Sequence, residues 1–417
     1  MYTNPTQWAE VDENGHLVLP SDLAHRYGLQ PGARLRLDEG HNDIRLHRPV
    51  TNLAKVYIEP TTICNLDCRT CIRHHWDETL GEMSEQTFGC ILESLAEFSP
   101  LPSVFFGGLG EPLAHPSTIK WIAQAKSMGM KVELITNGTL LNEKRSRELI
   151  ATGLDVLWVS IDGATPESYA DVRLGAELSR VIENLSRFRR LRPGGHFPVP
   201  EIGVAFVAMR RNIHELPSVI SLGKRLGAKH FIVTNVLPYT EELMGETLYN
   251  HTLRNITYLP SPFHPSLRLP RFDIDEVTQE AFLQALNSGV NVELNGYNLG
   301  GANDVCVFIE SGAMAIGWDG TVSPCPPLLH NHTSYLHGKE RHTRRHELGN
   351  ITYSSLKSLW YDPDYIDYRS RVHSFGFAPC TPCGGCDLSE ANEEDCFGIT
   401  HPACGGCLWA QGVIQCP

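Results

Sequence analysis

Apolar residues in the middle of the chain fall in short runs, each closed by a glycine or a polar turn. In order they are VYIEP, VFFGG, KVELITNG, VLWVSIDG, IGVAFVAM and HFIVTNVLP, spread between residues 56 and 238. Runs of this length, rich in β-branched and aromatic residues, read as buried strands. Between them the period changes. In SEQTFGCILESLAEF, Phe88, Ile91, Leu92 and Leu95 recur at helical spacing and make one apolar stripe, and STIKWIAQAKSMG reads as a helix too. Strands alternating with helices imply a parallel sheet with right-handed crossovers. Six such units predict an α/β architecture, a partial (β/α)6 barrel that is an open relative of the eight-fold form. Chemistry on such sheets sits at the carboxyl ends of the strands.

The flanks read differently. Residues 1–50 predict a small β-hairpin domain. GHLVLP is a strand ending at Pro20, and SDLAHRYGL is a helix capped by Ser21 and stopped by Gly28. PGARLRLDEG is a turn followed by a strand with Leu35 and Leu37 on one face, and NDIRLHRP alternates in the same way. Residues 51–240 are the barrel. Residues 241–300, rich in Pro and Asn, are a linker region with short elements folded over it. Residues 301–417 form a cysteine-rich extension with nine of the thirteen cysteines. The hairpin block resembles the swapped-hairpin module of transition-state regulators and antitoxins, which implies a homodimer through this block. Such modules often bind DNA, yet this one carries five Arg and no Lys against seven Asp or Glu. A docking or dimerising role is therefore expected, with a plain hairpin of no special function as the alternative.

Composition narrows the function. At 417 residues, 41% hydrophobic and 20% charged, the chain has the make-up of globular domains. No run is long enough to span a membrane, and the start MYTNPTQWAEVDENG lacks a basic and apolar signal region, so a cytoplasmic location is expected. A formal charge of −13 disfavours broad contact with nucleic acid. Thirteen cysteines in that setting point to metal or redox chemistry rather than disulfides.

The strand ends carry the candidate chemistry. After VYIEP comes PTTICNLDCRTCIRHHW, with Cys64, Cys68 and Cys71 spaced CxxxCxxC. Structural zinc takes four ligands, whereas a [4Fe–4S] cluster on three thiolates keeps one iron open, and zinc stays the alternative for the loop alone. GGLGEP follows the second strand. Its Gly108 and Gly110 let backbone approach a ligand, and Glu111 offers an acceptor for an ammonium group. Asn137 in TNG, Ser160 and Asp162 in SIDG, and Arg173 beyond them supply groups for hydroxyls and a carboxylate. His74 and His75 are placed to line the same pocket.

These motifs together resemble the radical S-adenosylmethionine (SAM) superfamily. The resemblance implies that SAM chelates the open iron of a [4Fe–4S] cluster through its amino and carboxylate groups. Electron transfer then cleaves the sulfonium to a 5′-deoxyadenosyl radical, which abstracts a substrate hydrogen. The family often has an aromatic residue just before the last cysteine; here Thr70 stands there, a departure that concerns packing beside the adenine and not the cluster.

The extension holds Cys306 and Cys325, then Cys380, Cys383, Cys386, Cys396, Cys404, Cys407 and Cys416. With Gly320 placed G-x4-C before Cys325, it resembles the SPASM extension of peptide- and protein-modifying maturases, which implies auxiliary [4Fe–4S] clusters. Nine thiols fill two clusters with one left over, or leave one cluster with three ligands and free a thiol to act as an acid or hydrogen donor. Zinc is again the alternative, and Cys90, inside a helix, reads as a packing residue. The five histidines of residues 328–346 read as surface or core residues, and the run KERHTRRH as a basic patch for an acidic partner or a phosphate.

Nearly the whole chain, including EPTTICNLDCRTCIRHHWDE, SPCPPLLH and NEEDCFGITHPACGGCLWAQGVIQCP, resembles the radical SAM maturases associated with tungsten-cofactor oxidoreductases. The implied partners are a tungsten-containing enzyme of the aldehyde ferredoxin oxidoreductase type and a ferredoxin or flavodoxin donor. The target is its polypeptide or its pterin cofactor. Two alternatives stand beside this: a maturase that forms a thioether or carbon–carbon link in a ribosomal peptide, and an iron–sulfur or zinc DNA-binding regulator.

Overall fold

The computed structural model describes residues 8–417 except 40–43, 195–197, 255–264, 271–272, 289, 295–296, 300–304 and 384–385. Six strands carry the middle of the chain: β1 (Lys55–Ile58), β2 (Ser103–Phe106), β3 (Val132–Thr136), β4 (Val156–Ser160), β5 (Glu201–Ala208) and β6 (Ala228–Asn235). Each pairs in parallel with the next in chain order. Helices cover the outer face: α1 (Glu85–Leu95), α2 (Thr118–Ser127), α3 (Glu143–Thr152), α4 (Pro166–Val172), α5 (Leu178–Leu191) and α6 (Leu216–Arg225). Helix α1 starts where Ser84 Oγ accepts the Thr87 N–H at 2.9 Å, a cap worth about 1 kcal/mol. Its Phe88, Ile91 and Leu95 are buried, and Phe88 stacks on Trp121 of α2 at 4.6 Å. Leu92, on the edge of the stripe, is half-buried, and Cys90 packs against the same core.

The sheet does not end at six strands. β7 (Ala313–Ile316), from the cysteine-rich extension, pairs in parallel with β1, and β8 (Thr321–Ser323) and β9 (Gly349–Asn350) continue it antiparallel. The extension is thus joined to the barrel through a strand buried at every position. Helix α7 (Pro363–Ser374) locks it further. Its buried Arg369 lies over the Trp360 ring at 3.8 Å and donates to the carbonyls of Val50 (2.8 Å) and Trp360 (2.7 Å).

In the N-terminal block, Glu10–Val11 pairs with Leu17–Val18, and Leu37–Glu39 with Ile44–Leu46. Ser21 is the first helical residue rather than the cap. Pro20 holds the cap position and has no side-chain acceptor to offer. Leu35 lies ahead of the strand that holds Leu37, so the two do not share a strand face. Residues 241–299 contribute short helices and a three-stranded sheet. Among the described residues no helix is long and apolar enough to cross a membrane.

Candidate active site

The loop after β1 carries the three cysteines and is pinned to the end of α4. Asp67 N–H donates to Leu174 O at 3.1 Å and Arg69 N–H to Val172 O at 2.9 Å, while Cys71 N–H to Cys68 O at 3.0 Å closes a turn within it. Each sulfur has a nitrogen donor beside it: Arg73 Nε at 3.3 Å from Cys71, Asn137 Nδ2 at 3.9 Å from Cys64, and Arg173 Nη1 at 3.9 Å from Cys68. Burial pushes the Cys64 and Cys68 thiols up, and the charges of Arg73 and Arg173 act against it. Iron binding here therefore releases protons.

The trio and Gly108, Gly110, Glu111, Asn137, Ser160 and Arg173 all line one cavity. Glycine is required where the GGLGEP loop lies on its neighbours. At Gly108 (φ +116°) a Cβ would sit 2.5 Å from Glu59 Cγ, and at Gly110 2.2 Å from Thr61 O. Glu111 is buried and already occupied. Its Oε1 accepts from Thr136 Oγ1 (2.7 Å) and Leu113 N (3.0 Å), and its Oε2 from Asn137 N (2.7 Å). It thereby fixes the TNG turn and keeps acceptor capacity on Oε2 alone. The cavity wall, with three sulfurs, a guanidinium and glycine backbone, fits a cluster with an amino-acid ligand beside it.

Three site expectations change. Asp162 is fully buried and does not face the cavity. Its Oδ2 accepts from Arg173 Nε at 2.6 Å and its Oδ1 from Val207 N at 2.7 Å, so it orients the arginine instead of meeting a ligand hydroxyl. His74 and His75 are exposed and lie off the cavity, because the short helical turn Ile72–His74 carries them outward. Thr70 does line it, as does an aromatic residue from elsewhere in the chain, Tyr239, following β6.

A second cavity meets the first along Ile72, Gly108, Leu109, Ile135 and Tyr239. Here lies a constellation that sequence reading missed. His330 donates from Nε2 to Glu59 Oε2 (2.7 Å) and from Nδ1 to Glu78 Oε2 (2.5 Å). Burial alone would lower its pKa, but the two carboxylates outweigh burial and push it up to about 10. Burial pushes nearby His332 down to about 4. The signal was a histidine-rich run, yet nothing in it showed that residue 330 meets residues 59 and 78. Cys416 opens on this cavity, with Trp409 Nε1 donating to its sulfur at 3.4 Å.

A third, narrow cavity meets the second along Pro327, His332 and Trp409. Cys306, Cys325, Cys404 and Cys407 line it, and Tyr368 Oη lies 3.4 Å from Cys404 Sγ. Burial and the neighbouring thiols push Cys306 up to about 12, and Cys325 and Cys404 up as well. Cys380, Cys383, Cys386 and Cys396 lie apart from this cavity, Cys380 being close enough to Cys396 and Cys386 to feel their charge. Half-buried Arg341 stands between the two groups, close enough to Cys404, Cys407 and Cys380 to feel their charge. A tetrahedral zinc with sulfurs at 2.3 Å holds them within about 3.8 Å of one another. Among the described residues no three cysteines bring their sulfurs within 4.8 Å. The basic run is internally engaged: Lys339 pairs with Glu390 (3.1 Å) and Arg344 with Glu393 (3.2 Å), while Arg341 donates to Gly406 O.

Residues 58–202 match the family model of the Radical SAM superfamily, and residues 306–387 that of an iron-sulfur cluster-binding domain, SPASM. The chain is 30% identical over 369 residues, covering 87% of its length and 96% of the relative, to the tungsten-containing aldehyde ferredoxin oxidoreductase cofactor-modifying protein of Pyrococcus furiosus. It is 30% identical over 171 residues, 41% of the chain and 46% of the relative, to the PqqA peptide cyclase of Gluconobacter oxydans. Its fold is similar to that of Streptococcus suis SuiB bound to S-adenosylmethionine, with a TM-score of 0.52 at 15% identity, covering 82% of this chain and 72% of that one.

Proposed function

The chain belongs to the radical SAM superfamily, in the branch with a C-terminal SPASM domain, and from that premise we propose that it matures a tungsten-containing oxidoreductase of the aldehyde ferredoxin oxidoreductase type. As a member it is an enzyme, with SAM and a [4Fe–4S] cluster as cofactors and auxiliary iron–sulfur clusters in its SPASM region. When bound, the first cluster and SAM supply a 5′-deoxyadenosyl radical for hydrogen abstraction.

The observation that carries the reading is the similarity along nearly the whole chain to a cofactor-modifying protein of a tungsten enzyme, and the row of three meeting cavities gives the chemistry its place. The first is walled by the cysteine trio. The middle one, lined by His330, Tyr239 and Cys416, takes the reacting part of the substrate. The third is walled by the inner cysteines of the extension. In this arrangement Arg173, held by Asp162, grips the SAM carboxylate, and Oε2 of Glu111 faces its ammonium. Gly108 and Gly110 bring backbone to the cofactor, Asn137 and Ser160 orient it, and Tyr239 closes the boundary between the first two cavities against water. We assign Cys306, Cys325, Cys404 and Cys407 to one auxiliary cluster. Cys380, Cys383, Cys386 and Cys396 hold a second, and Cys416 faces the middle cavity as a free thiol.

The target is the oxidoreductase polypeptide or its pterin cofactor, and the electron donor is a ferredoxin or flavodoxin. The test is anaerobic reconstitution with SAM, reductant and the candidate tungsten enzyme, followed by mass spectrometry of protein and cofactor. A mass change in either, with 5′-deoxyadenosine formed alongside, is the expected result. The similarity to a peptide cyclase favours a second reading, maturation of a short ribosomal peptide. Modification of such a precursor, with the tungsten enzyme and its cofactor unchanged, would establish that reading instead.

A further inference from the structure

Away from the three cavities, a separate set of metal-ligating side chains gathers where the N-terminal block meets the extension. His47, Glu310 and His373 bring ring nitrogens and carboxylate oxygen within 4.8 Å of one another. They come from three distant parts of the chain. His47 follows the hairpin strand Ile44–Leu46, Glu310 ends the short helix Val307–Glu310, and His373 lies in the last turn of α7. The side chains of His47 and His373 are only 2% and 8% exposed.

Hydrogen bonding alone accounts poorly for the arrangement. His47 Nδ1 contacts Glu310 Oε1, and His47 Nε2 lies 2.6 Å from Asp38 Oδ2. Ionised carboxylates only accept, so a neutral His47 ring can donate to only one of the two carboxylates that touch it, and Arg36 Nη2 lies 3.3 and 3.1 Å from the same two nitrogens. His373 Nε2, buried, lies 2.9 Å from Glu310 Oε2 at an angle poor for donation. A cation between the three removes both difficulties. Each histidine then turns a lone pair to the ion, and His47 Nε2–H donates to Asp38, the carboxylate–histidine–metal pattern that orients ligand rings. Arg36 holds Asp38 in turn, at 3.0 Å, and donates to His373 O as well.

We propose that His47 Nδ1, His373 Nε2 and a Glu310 oxygen bind a divalent transition-metal ion that fastens the N-terminal block to the cysteine-rich extension. Two imidazoles and a carboxylate suit zinc, with water in the fourth position. Such an ion carries no sulfur ligand, which separates it from any zinc lodged among the cysteines.

The test uses the anaerobically purified, cluster-loaded protein given one equivalent of ZnCl2 and dialysed. Zinc content, iron content and the zinc K-edge absorption spectrum are then read. The expected result is about one zinc per chain with nitrogen and oxygen neighbours only. His47→Gln and His373→Gln lose that zinc and keep their iron. Asp38→Asn, on an exposed side chain that cannot upset the core, binds zinc about tenfold more weakly. Zinc that washes out of the wild type, zinc with sulfur neighbours, or equal retention by the three variants overturns the proposal. If both histidine variants misfold and shed iron, an unchanged zinc affinity in Asp38→Asn overturns it, and a weakened one supports it.

Discussion

Cys68 sits on a loop between a buried parallel strand and a capped helix. Cys404 sits in a stretch, residues 391–417, that contains no helix and no strand beyond isolated bridges. Around Cys68, regular elements set every distance. Strand pairing fixes where β1 ends, helix packing fixes where α4 offers Val172 O, and the loop is tied to both. Around Cys404, the loops are placed chiefly by one another, by Arg341, which donates to Gly406 O, and by Thr381 Oγ1, which donates to Gly405 O at 3.0 Å. The difference implies two kinds of robustness: the first site is shaped before iron arrives, and the second relies on its clusters for much of its order.

The sharpest way to break this comparison is to remove one ligand of the trio. Cys68→Ala is expected to abolish reductive cleavage of SAM, measured as 5′-deoxyadenosine, while leaving the circular dichroism spectrum intact. Persistence of 5′-deoxyadenosine would refute the trio. A smaller loss is expected from the double change Cys404→Ala and Cys407→Ala. Iron content falls from about twelve to about eight per chain, substrate turnover stops, and SAM cleavage survives. This variant also becomes more sensitive to proteolysis within the extension, whereas Cys68→Ala does not.

The pair between His330 and Glu59 bridges the two regions, since one comes from the extension and the other follows β1. His330→Gln leaves Glu59, 2% exposed, without its cation, a change costing about 3 kcal/mol of stability at neutral pH. The folded pKa of about 10 lies above the ordinary 6.5. The contribution is therefore whole below pH 6.5 and is lost as pH rises through 10. Melting curves of wild type and variant converge toward the alkaline end; a gap that widens there contradicts the charged pair. The smallest effect belongs to Cys416→Ser, which is expected to leave iron content unchanged. A loss of about four irons would move Cys416 into a cluster.

The same contrast explains what the sequence discloses. The six strands are legible because their apolar runs are continuous and their turns carry glycine, and motifs at successive strand ends must converge on one pocket. Gly108, Asn137, Ser160 and Arg173 reach one cavity for that reason. Asp162 misled because a carboxylate at a strand end has the same letter whether it meets a ligand or an arginine. Tyr239 and His330 were not legible. Tyr239 stands just past β6 with no motif to mark it, and His330 reaches its cavity from the extension by a path that no local pattern records. The nine cysteines of the extension were countable but not divisible, because spacing along irregular loops does not state which sulfurs share a wall. The strand Ala313–Ile316 went unread as part of the barrel sheet, since its four residues lie far from β1 in the chain.

The most direct test of the central claim is electron paramagnetic resonance of the anaerobically reconstituted, reduced protein before and after SAM is added. The trio is predicted to leave one iron open to SAM, so the reduced-cluster signal shifts on addition and 5′-deoxyadenosine accumulates. A signal indifferent to SAM, with no 5′-deoxyadenosine formed, would contradict it.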